Sequence, residues 1–209
     1  MRNILLLALL FCPISFLSAQ ETPMGGPEII VFKDLVNTTS KTTQTIQSDF
    51  VQYKHLDFLS NDIVTHGKMV FKAPNKVKWE YTKPFLYSIV FLEDKLLIND
   101  GGAKSDVDMG NSALFQKLNQ LIVNSVKGNL FQDSDFDMEY FKGGDYYKVV
   151  FVPKDEKIKG YIASFILNFD KDRAAVQEVR MVEPSNDYTR IVFSNRVINK
   201  VVDDALFSN

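Results

Sequence analysis

The run GKMVFKAPNKVKWEYTKP, Gly67 to Pro84, reads as two β-strands joined by one tight connection. In the first, Met69, Phe71 and Ala73 share one face and Lys68, Val70 and Lys72 the other, because strand side chains alternate with period two. Pro74 ends that strand, since it has no N–H for a ladder and restricts the residue before it. Pro74-Asn75 is a turn signal. In the second strand Val77, Trp79 and Tyr81 share a face, Lys76, Lys78, Glu80 and Thr82 take the other, and Pro84 closes the unit. An aromatic face backs a charged one. That is the pattern of an antiparallel hairpin, wet on one side and turned towards a core or cavity on the other.

More strands lie on both sides of this hairpin. Ile46 to Leu56 alternates, with Ile46, Phe50 and Gln52 on one side, and Asp57 to Asp62 reads as a hairpin loop leading into Ile63 to Ala73. Tyr87 to Leu92 is a continuous apolar run, Glu93-Asp94 a turn, and Lys95 to Asn99 another strand. Asp100 to Asn111 is polar and Gly-rich and reads as a loop. Ser112 is placed to cap an amphipathic helix whose apolar residues are Leu114, Leu118, Leu121, Ile122 and Val126, ended by Lys127 and Gly128. A second block of strands follows: Asp135 to Phe141, Tyr146 to Val152, Tyr161 to Phe169, Ala175 to Val182 and Tyr188 to Val197. Their turns recur about every ten residues, with no helices for crossovers, so the sheet must be antiparallel. Asp203 to Phe207 reads as a short terminal turn.

Upstream, Glu28 onwards is helical, with Ile29, Phe32, Val36, Thr39 and Thr43 at steps of three and four. The Thr-rich second half is a poor helix former, so the first three turns carry the expectation. Glu21 to Pro27 is a polar Gly/Pro lead. Met1 to Gln20 has the form of a secretory signal peptide: Arg2, an apolar run from Ile4 to Phe11, and Leu17-Ser18-Ala19 before the cut. The competing reading, a membrane anchor, meets a run that is too short and is broken by Pro13. Cys12, the only cysteine, is then discarded. Phe11 stands where a lipidation signal needs a small residue, and the mature chain carries no disulfide or thiolate chemistry.

About ten or eleven strands exceed what one open sheet carries without curling. The expected architecture is one strongly curved antiparallel sheet, an unclosed β-barrel, with α-helices over its open side and a single domain over residues 21–209. The 209 residues suit one domain, and 17 Phe and 8 Tyr against ten Gly suit β-structure with a large apolar interior. A net charge of −2 without a basic block argues against nucleic acid.

Catalytic signals are weak. His55 and His66 lie on neighbouring strands across a hairpin, where they could meet, but two histidines without a carboxylate or thiol partner make a weak metal site. Asp106-Val107-Asp108-Met109-Gly110 lacks the later acidic ligands of a calcium loop. No nucleophile elbow, zinc helix or phosphate loop is present, and an enzyme would need carboxylates distant in sequence. The aromatic face of Phe50, Phe71, Trp79 and Tyr81 remains. Ordinary core is the default for such a stripe. The breadth of the curved sheet and the helix laid over it favour a lined pocket instead.

The Phe50-x-Gln52 strand, the Gly67-x-x-x-x-Lys72-x-Pro74-Asn75-x-x-x-Trp79 run and the Val202-Asp203-Asp204-Ala205-Leu206-Phe207 ending resemble the LolA family of periplasmic carriers that move lipoproteins to the bacterial outer membrane. The resemblance implies a hydrophobic cavity for acyl chains, lined by Phe50, Met69, Phe71, Trp79 and Tyr81 and by Leu114, Leu118, Leu121 and Ile122 of the lid helix. It implies no enzymatic activity, no cofactor and no metal. Its implied partners are lipoproteins, an inner-membrane ABC exporter and an outer-membrane receptor, with the protein a monomer in the periplasm. The family's arginine that latches the lid is replaced by Ala73. Arg180 and Arg190, on later strands, are candidates to take over. Lipid sensing through a protein partner and envelope hydrolysis are the alternatives.

Overall fold

The computed structural model describes residues 21–92, 95–108 and 136–208. The expected leader, with Cys12, and the expected Ser112–Lys127 helix, with Leu114, Leu118, Leu121 and Ile122, lie outside the described residues. The described elements are β1 (Thr22–Pro23), α1 (Gly26–Thr42), β2 (Thr45–His55), β3 (Ile63–Lys72), β4 (Lys76–Lys83), β5 (Tyr87–Phe91), β6 (Lys95–Asp100), β7 (Ala103–Asp108), β8 (Phe136–Lys142), β9 (Tyr146–Pro153), α2 (Glu156–Lys159), β10 (Ser164–Asp170), β11 (Val176–Val182) and β12 (Tyr188–Ile198). A 3-10 turn, Asp204–Phe207, follows.

All twelve strands form one antiparallel sheet in the order β1-β8-β9-β10-β11-β12-β2-β3-β4-β5-β6-β7. The last long strand, β12, joins the two sequence blocks by pairing with β2, Phe193 opposite Phe50. Among the described strands β1 and β7 are the two edges, so the sheet curls without closing. The β3–β4 register sets Met69 opposite Trp79 and Phe71 opposite Val77, as the period-two pattern requires.

Two segments read as loop or lead are strands. β7 folds back on β6 through Gly101 and Gly102, whose φ of 56° and 108° supply the turn. Its six residues are all exposed, so no apolar alternation announces it. β1 pairs with β8 over Thr22 and Pro23. The short α2, also unannounced, is capped by the Asp155 side chain, which accepts from Lys157 N–H.

α1 continues through the Thr-rich half to Thr42. The Glu28 carboxylate accepts from Gly25 N–H at its start, and Phe32, Val36 and Ser40 are buried against the sheet. Low propensity in the Thr-rich half is overridden by that packing and by its hydroxyls: Thr42 donates to Thr39 O, and Thr39 to Arg173 O across the fold.

The buried apolar residues on the side covered by α1 fall into two separate clusters. One gathers Phe32 and Val36 of α1 with Phe136, Phe151, Leu167 and Phe169. The other gathers Ile46, Phe50, Met69, Phe71, Val77 and Trp79. A third, smaller one packs Phe207 and Val202 against Val90 and Leu97.

Candidate ligand cavity

A cavity of about 340 Å³ opens between the two larger clusters. Its lining draws on both: Met69, Val77, Trp79, Tyr81, Ile191 and Phe193 on one wall, and Phe151, Phe165, Leu167, Val179 and Met181 on the other, with Val36, Thr39 and Ser40 of α1 across them. Protein interiors are normally filled to crystal density. A void of this size sits at the lower end of the range for small-molecule sites and marks a place that the sheet's own side chains do not reach.

Met69, Trp79 and Tyr81, expected in the cavity, line it. Phe50 and Phe71 are each 1% exposed and stand outside the lining, behind those side chains. Phe50 stacks on Trp79 with ring centroids 4.3 Å apart and meets Tyr81 edge-on at 5.5 Å. Trp79 is held from its other side by Phe193, 5.9 Å away and T-shaped. Tyr81 O–H donates to Gln52 Oε1 at 2.9 Å, and burial raises its pKa. Ala73 packs against the same cluster, just past the end of β3, without lining the void.

Arg180 and Arg190 do not face the cavity. Their neighbours Val179, Met181, Thr189 and Ile191 line it, so strand alternation turns both arginines outward. Arg190 is ion-paired with Glu178 at 2.8 Å, and the Arg180 guanidinium lies over the Tyr188 ring. Among the described lining residues the cation is Arg196, which no sequence motif marks. On β12 the lining residues are Thr189, Ile191 and Phe193, then Arg196 and Ile198, so the parity changes. The change falls at a register shift between Ser194 and Val197, where Asn195 has φ 52°. A bulge re-aims the side chains beyond it, and asparagine is one of the few residues that tolerate this φ. Arg196 donates to Val176 O. Burial is the main influence on it and lowers its pKa, opposed by the charge of Asp170. No aspartate or glutamate occurs among the described lining residues.

The histidines do not form a pair. His55 Nδ1 lies 2.9 Å from Asp62 Oδ1, and its ring stacks on Tyr188 at 4.7 Å. The carboxylate partner, unforeseen from sequence, ties the β2–β3 loop to its own strand. Asp106 and Asp108 belong to β7. Among the described residues no cluster of three metal-ligating side chains is present, and no helix is long and apolar enough to cross a membrane.

Several solved structures share this fold. An uncharacterised conserved protein from Thermus thermophilus superposes with a TM-score of 0.53 at 8% identity, covering 87% of this chain and 94% of that one. MucB in the MucA/MucB complex of Pseudomonas aeruginosa gives 0.50 at 11% identity, covering 87% of this chain and 61% of that one, so this chain spans about three fifths of its length. A LolA superfamily protein from Nitrosomonas europaea gives 0.47 at 9% identity, covering 86% and 97%. Among curated proteins none matches the chain in sequence. The family model described as outer membrane lipoprotein carrier protein LolA matches residues 41–209, a span from the end of α1 to the C-terminus that takes in β2 to β12, and the chain belongs to the LolA family.

Proposed function

We propose that this protein is an exported periplasmic carrier that holds the acyl chains of lipoproteins in the cavity and shuttles them from the inner to the outer membrane. It would load from an inner-membrane ABC exporter and deliver to an outer-membrane receptor. The observation that carries the reading is the unfilled apolar space between two separate cores in a chain of the LolA family. Its energetics suit the task. Each buried CH₂ contributes roughly 0.8 kcal/mol, so a fourteen-carbon chain prefers an apolar site over water by about 10 kcal/mol. Only a dry pocket competes with a membrane on those terms.

The test is mass spectrometry of the protein purified from its native periplasm, with a lipopeptide titration followed by Trp79 fluorescence. Co-purifying acylated peptides and a saturable change in emission are expected. An empty protein whose Trp79 ignores every acyl ligand would overturn the reading. A second reading, lipid sensing through a protein partner, is favoured by the exposed Phe58, Phe85 and Leu86. They sit on the β2–β3 and β4–β5 connections, at the same end of the sheet. A stable complex in pull-downs would select it.

A further inference from the structure

We propose that Arg196 is the head-group anchor of the cavity, and that the preferred ligand is an acyl amphiphile ending in an oxyanion, a carboxylate or a phosphate. The inference rests on the cavity being an acyl site and goes beyond the lipoprotein reading: lipoprotein acyl chains end in neutral esters and an amide, so a preference for an oxyanion makes a free acyl lipid the better ligand.

The placement of Arg196 is built into the backbone. Without the bulge at Asn195, the β12 alternation through Ile191 and Phe193 would turn residue 196 to solvent. With it, the guanidinium enters an apolar wall. The charge is only partly answered there. One guanidinium nitrogen, Nη2, donates to Val176 O, the guanidinium carbon lies 5.9 Å from the Phe193 ring centroid, and the Asp170 charge acts at longer range, while among the described residues no carboxylate forms an ion pair with it. A guanidinium has five N–H donors in a rigid fork that matches a carboxylate or phosphate. A half-buried cation whose charge is met only by a carbonyl, a ring and a more distant carboxylate is incompletely compensated, and an incoming oxyanion relieves that cost. Bracing the Val176 carbonyl would take only one of these donors.

The surroundings fit the same end of a ligand. Thr39 O–H donates to Arg173 O, which fastens the C-terminal turn of α1 to the segment that runs on to Val176. Ser40, on that same turn, lines the cavity, and its Oγ is buried without a hydrogen-bond partner. The lining thus carries a hydroxyl without a hydrogen-bond partner and a guanidinium with donors to spare, in an otherwise apolar groove that includes Met69, Trp79, Val179 and Ile191. A chain with an oxyanion at one end satisfies both parts. A plain hydrocarbon or alcohol satisfies only the groove.

The experiment compares sodium myristate, 1-tetradecanol and dimyristoyl phosphatidylglycerol by calorimetric titration of the full chain, alongside Arg196→Met and Arg196→Lys. The wild type is expected to bind myristate at least about tenfold more tightly than the more apolar tetradecanol. Arg196→Met should bring the ratio of myristate to tetradecanol affinity to about one, and Arg196→Lys should retain part of the preference. Tighter binding of the phosphatidylglycerol than of myristate identifies a phospholipid head, and the reverse identifies a free fatty acid. Equal affinity of the wild type for myristate and tetradecanol overturns the anchor and leaves the acyl cavity standing. Failure of all three to bind overturns the acyl cavity itself and the anchor with it. If Arg196→Met does not fold, the comparison of the acid with the alcohol on the wild type decides alone.

Discussion

The Phe50 ring covers Gly67. The two residues are partners across β2 and β3, and a Cβ on Gly67 would stand 2.2 Å from Phe50 Cζ and 2.2 Å from the Glu80 carbonyl oxygen. Glycine lets the ring lie flat against the neighbouring strand, and that pose puts Phe50 in its stack with Trp79. Gly67→Ala must displace both a ring and a backbone carbonyl. Overpacking of this kind costs about 1–3 kcal/mol. Thermal unfolding should show a lower midpoint, and Trp79 emission in the folded protein should shift as the stack is disturbed. An unchanged midpoint would mean that the strands part here without strain.

Filling the cavity separates storage space from imperfect packing. Val179 projects into the void from β11, opposite the Trp79 wall. Val179→Phe adds apolar surface where there is room for it, at roughly 0.8 kcal/mol per buried CH₂ equivalent. The expected outcome is an unchanged or higher unfolding midpoint, together with at least a tenfold loss of acyl-ligand affinity by titration. A marked drop in stability would show that the space closes in solution. Retained affinity would place the ligand elsewhere.

Ala73→Arg examines the latch position. Ala73 N–H donates to Gln44 O at 2.8 Å, so residue 73 lies beside the chain that leaves α1. A long cation there would have helix-end carbonyls within reach, and a charge-assisted hydrogen bond contributes about 1.5–3 kcal/mol. The substitution should raise the unfolding midpoint of the ligand-free protein and slow ligand release in a transfer assay. If both stay at wild-type values, position 73 does not govern closure here.

The Gly67–Pro84 pattern was legible because period two, a proline-bounded turn and one wet face all agree, and the register places Met69 opposite Trp79 accordingly. Phe50 and Phe71 take the expected face but lie behind the lining side chains. Alternation says which side a residue takes, not whether a larger neighbour stands in front of it. β7 escaped notice because an exposed edge strand of Lys, Ser and Asp has no apolar signal to read. Arg196 escaped because a single-residue bulge inverts the faces of everything after it. Arg180 and Arg190, the candidates to replace the latch arginine, sit where alternation is unbroken and points outward. Asn195 was the one available hint, as a residue tolerant of left-handed backbone within a strand pattern.

The C-terminal tail offers a prediction with a defined pH window. Asp204 lies 2.9 Å from Lys72 Nζ and 2.8 Å from Lys76 Nζ, and Lys72 also donates to Val202 O. These contacts hold the tail against the outer face of β3 and β4, where Phe207 is 5% exposed beside Val90 and Leu97. The Lys76 hydrogen bond, and then that of Lys72, lower the Asp204 pKa to about 2. A carboxyl held below its unfolded value of about 3.9 contributes stability that is complete above that value and disappears as pH falls through the folded one. Asp204→Asn should therefore be slightly less stable than the wild type at neutral pH, by a small, salt-sensitive amount because the pair is exposed. The two proteins should converge between about pH 4 and pH 2. Phe207→Ala should cost more and show no such convergence. Phenylalanine truncation typically removes about 3–5 kcal/mol, capped here by the free energy at which the tail detaches on its own. Denaturant unfolding of the three proteins from pH 2 to pH 7 decides the matter. Parallel curves for the wild type and Asp204→Asn throughout would show that Phe207, and not the lysine clasp, holds the tail.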